Sequence, residues 1–179
     1  HIDGLRSIAV ISVFLFHLDT PGIRGGYLGV DVFFVISGYL ITKILKEGTS
    51  SGSFSFSDFY ARRVRRLFPA LIVMAVLCFL VGVVRLSPSR MVELSTSGIW
   101  ALLSISNFYF FFNSGYFDAA AETQVFLHTW SLAVEEQFYL IWPIMIYLLV
   151  SYIATRGQMV FIIILCLIGT LLSAWATAF

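Results

Sequence analysis

The chain has 179 residues, of which 59% are hydrophobic, 17% aromatic and only 12% charged. This composition excludes an ordinary soluble domain and predicts a helical protein that crosses a membrane several times. The net charge of +1 does not exclude any class of function, because the basic residues are concentrated in one loop and the total hides this distribution. Both cysteines lie in apolar runs, so they indicate packing residues and no metal or disulfide site.

Apolar runs taken in chain order predict an all-α, polytopic transmembrane helix bundle with about five or six spans. The fourth run is diluted by polar residues, and it is either a span or an amphipathic segment in the interface. The expected spans are Leu5–Leu18, Tyr27–Leu45, Leu67–Val84, Val92–Phe112, Trp130–Tyr152 and Met159–Phe179. Because the chain starts without Met and stops inside an apolar run, we expect residues 1–179 to be the N-terminal part of a larger membrane domain.

The first span carries two ionisable groups, Arg6 and His17. Their spacing of eleven residues returns to nearly the same helix face, with a rise of roughly 16 Å between the side chains. Ionisable groups in hydrocarbon cost on the order of 2.5–3.5 kcal/mol each, so this stripe predicts a cavity, a partner or a function.

The second span contains an acid, Asp31, on the same face as Gly38 and Thr42. The glycines of this region are explained by close helix packing, which small residues allow. An ionised carboxylate in a span needs a partner, and we expect an arginine or histidine of the first span to supply it.

The loop after the second span is strongly basic. From Lys43 to Arg66 it holds six basic side chains against two acidic ones. The positive-inside rule therefore places this loop and the N-terminus in the cytoplasm. The arginines either fix orientation and touch anionic lipids or bind phosphate, and Arg63 and Arg66 fall on one side of a helical turn. The second interpretation predicts a phosphorylated cytosolic cofactor.

Two adjacent acids, Glu135 and Glu136, open the fifth span, and we expect at least one to face the bundle interior. Glu136 shares a face with Tyr139 and Pro143, and this stripe is predicted to line the same cavity as His17. Glu135 is predicted to serve the helix dipole or an interfacial contact. No phosphate-binding loop, dinucleotide fingerprint or zinc-ligand spacing occurs, and no nucleic-acid partner is predicted.

Four blocks of the sequence closely resemble the membrane-bound acyltransferase 3 family, bacterial integral-membrane enzymes that O-acylate cell-envelope carbohydrates. The blocks fall in order over about Ile2–Pro143. They are Ile2–Arg6 with His17, Gly29–Tyr39, the pair Arg63 and Arg66 with Pro69, and Trp130–Tyr139.

The resemblance implies a domain of about ten spans in the bacterial cytoplasmic membrane. It implies His17 as the catalytic base, and Arg63 and Arg66 as binding residues for acyl-CoA, commonly acetyl-CoA. Together with the residue patterns it gives our leading hypothesis. In this hypothesis Arg6 and Asp31 organise the path between the cytoplasmic donor and the external acceptor, and Glu135 or Glu136 lines the site. The acceptor is expected to be a polysaccharide, a lipid-linked sugar or another envelope hydroxyl, and membrane lipids are the other partner.

Two other classes of protein stay open at this point. In a transporter or carrier half, the same buried charges would relay protons or substrate, although the first and fourth spans share no polar pattern of an inverted repeat. A helical scaffold or sensor would carry no chemistry at all.

Overall fold

The computed structural model describes residues 2–113, 124–153 and 155–178. These ranges form seven helices and contain no strand, which confirms the all-α class. The helices are α1 (Ile2–His17), α2 (Leu28–Ser50), α3 (Phe56–Arg85), α4 (Pro88–Leu102), α5 (Ser106–Asn113), α6 (Thr129–Tyr152) and α7 (Thr155–Ala178). Among the described residues, α2, α3 and α6 are long and apolar enough to cross a membrane. Phe179, the end of the sixth predicted span, lies outside the described residues.

The predicted span Val92–Phe112 is divided between two short helices, α4 and α5. The chain turns between them at Ser104, whose φ of 56° is left-handed. Helices of 15 and 8 residues rise about 22 and 12 Å, less than the roughly 30 Å of a bilayer core. Polar side chains explain the break, because Asn107 of α5 needs a hydrogen-bonding partner that lipid cannot supply.

That partner is Gln137 of α6. Its amide donates to Asn107 Oδ1 at 2.8 Å and to the Ser104 carbonyl at 3.1 Å, and Asn107 donates back at 3.2 Å. Near the start of α6, the Thr129 hydroxyl also donates to Ser106 at 2.9 Å. These bonds tie α5 to α6 and fix how α6 is rotated about its axis.

The helix directions follow from side-chain contacts along α6. Phe34 of α2 meets Trp130 near the start of α6, and Thr42 accepts a hydrogen bond from Trp142 further along, so α2 and α6 run parallel. Helix α3 runs against them, because Phe56 at its start packs on Tyr147 near the end of α6. We call the end where α6 begins the histidine end and the end where α3 begins the arginine end.

Two buried clusters hold the bundle together. One joins α2, α3 and α6 toward the arginine end and consists of Ile41, Leu45, Phe59, Tyr139 and Ile146. The other joins α3, α4, α5 and the segment before α6, and consists of Ala75, Leu94, Ala101, Phe110 and Phe126.

Helices α1 and α2 approach each other at glycines. A Cβ on Gly29 would press on the Ala9 carbonyl and lie 2.8 Å from Val13 Cγ2. At Gly26 a Cβ would press on the Ser12 carbonyl in the same way. The expectation that these glycines let the helices pack closely is confirmed.

Candidate active site

A cavity of about 620 Å³ lies between α1, α2 and α6 at the histidine end. Most of its wall is apolar and includes Val13, Phe33 and Phe34. Its polar side chains are His17, His128, Ser131 and Glu135. Two imidazoles and one carboxylate therefore line the same mainly apolar space.

His17 is the last residue of α1, and a local hydrogen bond sets its ring. Its Nδ1 lies 2.8 Å from the Val13 carbonyl oxygen. A carbonyl oxygen only accepts, so Nδ1 carries the proton and Nε2 of the neutral ring keeps its lone pair. This is the tautomer that a general base requires.

The two acids are placed differently from the sequence-based expectation. Glu135 is 8% exposed and lines the cavity, and it accepts a hydrogen bond from the Tyr139 hydroxyl. Glu136 is half-buried and is not among the described residues that line the cavity. The prediction that Glu136 shares the His17 cavity is thus wrong, because the contacts of α6 with α2 and α5 rotate the neighbouring position, about 100° away, toward the cavity.

Arg6 and Asp31 do not meet. The guanidinium of Arg6 lies 5.0 Å from the centre of the Phe33 ring, a cation–π contact between α1 and α2. Asp31 is exposed, and in the described part of the chain the ion pairs are Lys43–Glu47 and Arg90–Glu93. The expected pairing of Asp31 with Arg6 or His17 is therefore wrong. Gly29 and Phe33 of α2 face α1, which leaves Asp31 on another side of the helix.

A second, smaller pocket of about 260 Å³ lies at the arginine end. It is lined by Arg62, Arg63 and Arg66 together with Ile44 and Phe59. Arg63 is partly buried, and its guanidinium carbon lies 4.6 Å from the centre of the Tyr139 ring. Three guanidinium groups in one concave site are suited to binding phosphate oxygens.

No cluster of three or more His, Cys, Asp or Glu side chains able to hold a metal ion occurs within residues 2–113, 124–153 and 155–178.

Comparison with known sequences identifies the family of the chain. The profile of the acyltransferase domain family matches residues 1–179. The chain belongs to this family. Peptidoglycan O-acetyltransferase OatA of Listeria monocytogenes is 39% identical to this chain over 178 residues, which are 98% of the chain and 28% of the relative. O-acetyltransferase OatA of Staphylococcus aureus is 37% identical over 175 residues, which are 96% of the chain and 29% of the relative.

The chain thus spans less than a third of the length of these relatives. No solved structure gives a significant match to it.

Two residues make contacts at the site that the sequence did not predict. Tyr139 was expected as part of the stripe with Glu136 and Pro143, with no contact of its own. Tyr139 touches both Arg63 and Glu135. Its spacing of four from Glu135 was the available signal, since that spacing places two side chains together on a helix.

His128 is the second, and the sequence alone assigned it no role. The structure places it in the cavity with His17, and its Nε2 lies 3.3 Å from Met74 Sδ. Desolvation lowers the pKa of His128, a hydrogen bond with the Val125 backbone opposes this shift, and charge on His17 adds to it. Burial therefore favours the neutral form of His128.

Proposed function

We propose that the full-length protein is an integral-membrane O-acyltransferase of the bacterial cytoplasmic membrane. It moves an acyl group, in the first instance acetyl, from acyl-CoA to a hydroxyl of an envelope carbohydrate outside the membrane. The observation that carries this proposal is the pairing of an arginine-lined pocket with a cavity that holds a histidine of the correct tautomer. The names of the relatives, which include a peptidoglycan O-acetyltransferase, favour peptidoglycan as the acceptor.

The donor is assigned to the arginine pocket by charge. Coenzyme A carries several phosphate groups, and Arg63 and Arg66 offer planar donors on one wall. The basic stretch from Lys43 to Arg66, which ends in the first turns of α3, is assigned to the cytoplasm by the positive-inside rule, and the rule assigns the N-terminus to the same side. This orientation agrees with a cytosolic source of the donor.

His17 is assigned the role of general base. Its Nε2 takes the proton of the acceptor hydroxyl as that oxygen attacks the thioester carbonyl. The carbon–sulfur bond then breaks, and the CoA thiolate leaves and takes up the proton. Such assistance typically contributes 10²–10⁴-fold in rate. The imidazolium of His17 exists after it takes the proton and before the thiolate receives it. The carboxylate of Glu135, in the same cavity, stabilises this cation.

Arg6 and Asp31 are given supporting roles along the path. The contact of Arg6 with Phe33 holds α2 against α1, and Phe33 is part of the cavity wall. Asp31 and Glu136 are assigned as polar side chains along the path between donor and acceptor, without contact to the reacting atoms.

Transfer from labelled acetyl-CoA by membranes that contain the full-length protein tests the proposal. We expect His17→Ala to lower transfer at least 100-fold while the amount of inserted protein stays unchanged. Leu18→Ala is the matched control, because Leu18 is the next residue, is 60% exposed and does not line the cavity. Near-normal transfer by His17→Ala would remove His17 from catalysis, and a wild-type protein without transfer would contradict the proposed function.

A further inference from the structure

We infer that Tyr139 is a positioning residue that connects the arginine pocket with the histidine cavity. It does so through two different parts of its side chain: the ring supports Arg63, and the hydroxyl holds Glu135. This inference rests on the proposed function and adds a residue that couples the donor site to the acceptor site.

The ring of Tyr139 is held firmly. Tyr139 is 4% exposed and packs in the buried cluster with Ile41, Leu45 and Phe59. The guanidinium of Arg63 lies 4.6 Å from the Tyr139 ring centre and 5.6 Å from that of Phe59. A cation over a fixed aromatic face is stabilised, and more so where water is displaced. The two rings therefore set where Arg63 can present its donors in the arginine pocket.

The hydroxyl of Tyr139 points to the other site. It donates a hydrogen bond to Oε1 of Glu135, one turn earlier on α6. Glu135 lines the cavity that contains His17. A carboxylate held by a hydrogen bond is restricted in its rotamer, so the hydroxyl fixes where the negative charge stands with respect to the imidazole.

The two contacts form one continuous link from the arginine pocket through Tyr139 to the wall of the cavity. Arg63 also interacts electrostatically with both Glu135 and Glu136. A donor phosphate bound to Arg63 offsets that positive charge. The Glu135 carboxylate then interacts more strongly with an imidazolium at His17, so donor binding prepares the cavity for proton transfer.

Two substitutions separate the functions of the ring and the hydroxyl in the full-length protein. Tyr139→Phe keeps the ring and removes the hydroxyl, whereas Tyr139→Leu removes both. Tyr60→Phe is the matched control. The Tyr60 hydroxyl joins α3 to α6 by donating to the Leu140 carbonyl at 2.9 Å, and Tyr60 is not among the residues that line either pocket.

The readouts are KM for acetyl-CoA and kcat for transfer. We expect Tyr139→Phe to lower kcat roughly 10- to 100-fold with KM within twofold of wild type. Tyr139→Leu is expected to raise KM about fivefold or more in addition. Tyr60→Phe is expected to keep both within twofold of wild type.

Several outcomes would overturn the inference. A kcat for Tyr139→Phe within twofold of that for Tyr60→Phe would show that the Tyr139 hydroxyl does not contribute to transfer. Equal increases of KM in Tyr139→Phe and Tyr139→Leu would contradict the division between ring and hydroxyl. If Tyr139→Leu fails to accumulate, the kcat of Tyr139→Phe decides alone. A wild-type protein without transfer would instead overturn the proposed function, which separates the two failures.

Discussion

At the scale of single residues, the candidate site depends on which of two neighbouring acids faces the cavity. Glu135 is buried, holds a hydrogen bond from Tyr139 and lines the space that contains His17. Glu136 is half-buried, and its Oε1 is buried without a hydrogen-bond partner in the described ranges. The two carboxylates therefore have different surroundings although they are adjacent in sequence.

We predict that Glu135→Gln lowers transfer at least tenfold, since it removes the negative charge that faces the His17 imidazolium. Glu136→Gln is the matched control and should lower transfer less than threefold. Labelled acetyl transfer at equal amounts of inserted protein measures both. A larger loss in Glu136→Gln than in Glu135→Gln would show that the acids have the opposite roles.

Sequence reasoning predicted both acids as candidates but assigned the cavity to Glu136. Periodicity places residues on a helix face, but it does not determine how that face is rotated toward its neighbours. The rotation of α6 depends on contacts between distant positions, such as Trp142 with Thr42 and Gln137 with Asn107. The placement of Arg63 and Arg66 in one pocket followed from a local helical turn, and that expectation agrees with the structure.

At the scale of helices, the contact between α1 and α2 shapes the cavity. Both helices contribute to its wall, and Gly29 lies in that wall where the backbones are closest. Hydropathy located these helices well because apolar runs of the right length are local features of the sequence. The break between α4 and α5 was not predicted, because it depends on Asn107 reaching Gln137 of another helix.

We predict that Gly29→Ala destabilises the fold by about 1–3 kcal/mol, because its Cβ would overlap the Ala9 carbonyl and force α1 away from α2. Gly38→Ala on the same helix is the control, since its Cβ would meet only Phe138 Cζ at 3.9 Å, an ordinary contact. Thermal unfolding of the full-length protein in detergent gives the comparison. Equal unfolding temperatures for the two variants would contradict the close contact at Gly29.

At the scale of the whole molecule, the bundle separates a cationic pocket from a cavity with the groups of an acid–base site. The arginine pocket opens near the start of α3, and the histidine cavity lies at the start of α6. Such a separation suits a reaction whose two substrates arrive from opposite sides of a membrane. The chain belongs to an acyltransferase family, and the proposed transfer between the two sides of the bilayer requires two such separated sites.

We predict that Arg63→Ala combined with Arg66→Ala raises KM for acetyl-CoA at least tenfold, because both guanidinium groups line the pocket. Lys46→Ala combined with Arg65→Ala is the control, since it removes the same charge from exposed residues outside that pocket. Donor titrations measure KM, and a topology reporter in the loop 51–55 measures orientation. An inverted orientation of the Arg63→Ala, Arg66→Ala variant, with a normal KM for acetyl-CoA in its correctly inserted fraction, would contradict the prediction. Arg63 and Arg66 would then determine membrane orientation and not donor binding.

The parallel course of α2 and α6, with α3 opposed, has a consequence for the parity of membrane crossings. Helix α3 ends toward the histidine end, and α6 begins again from that end. The end of α3 and the start of α6 therefore lie on the same side of the bundle. Residues inserted between α4 and α5 leave the polarity of the site unchanged as long as they add no crossing of their own, because α2, α3 and α6 set that polarity.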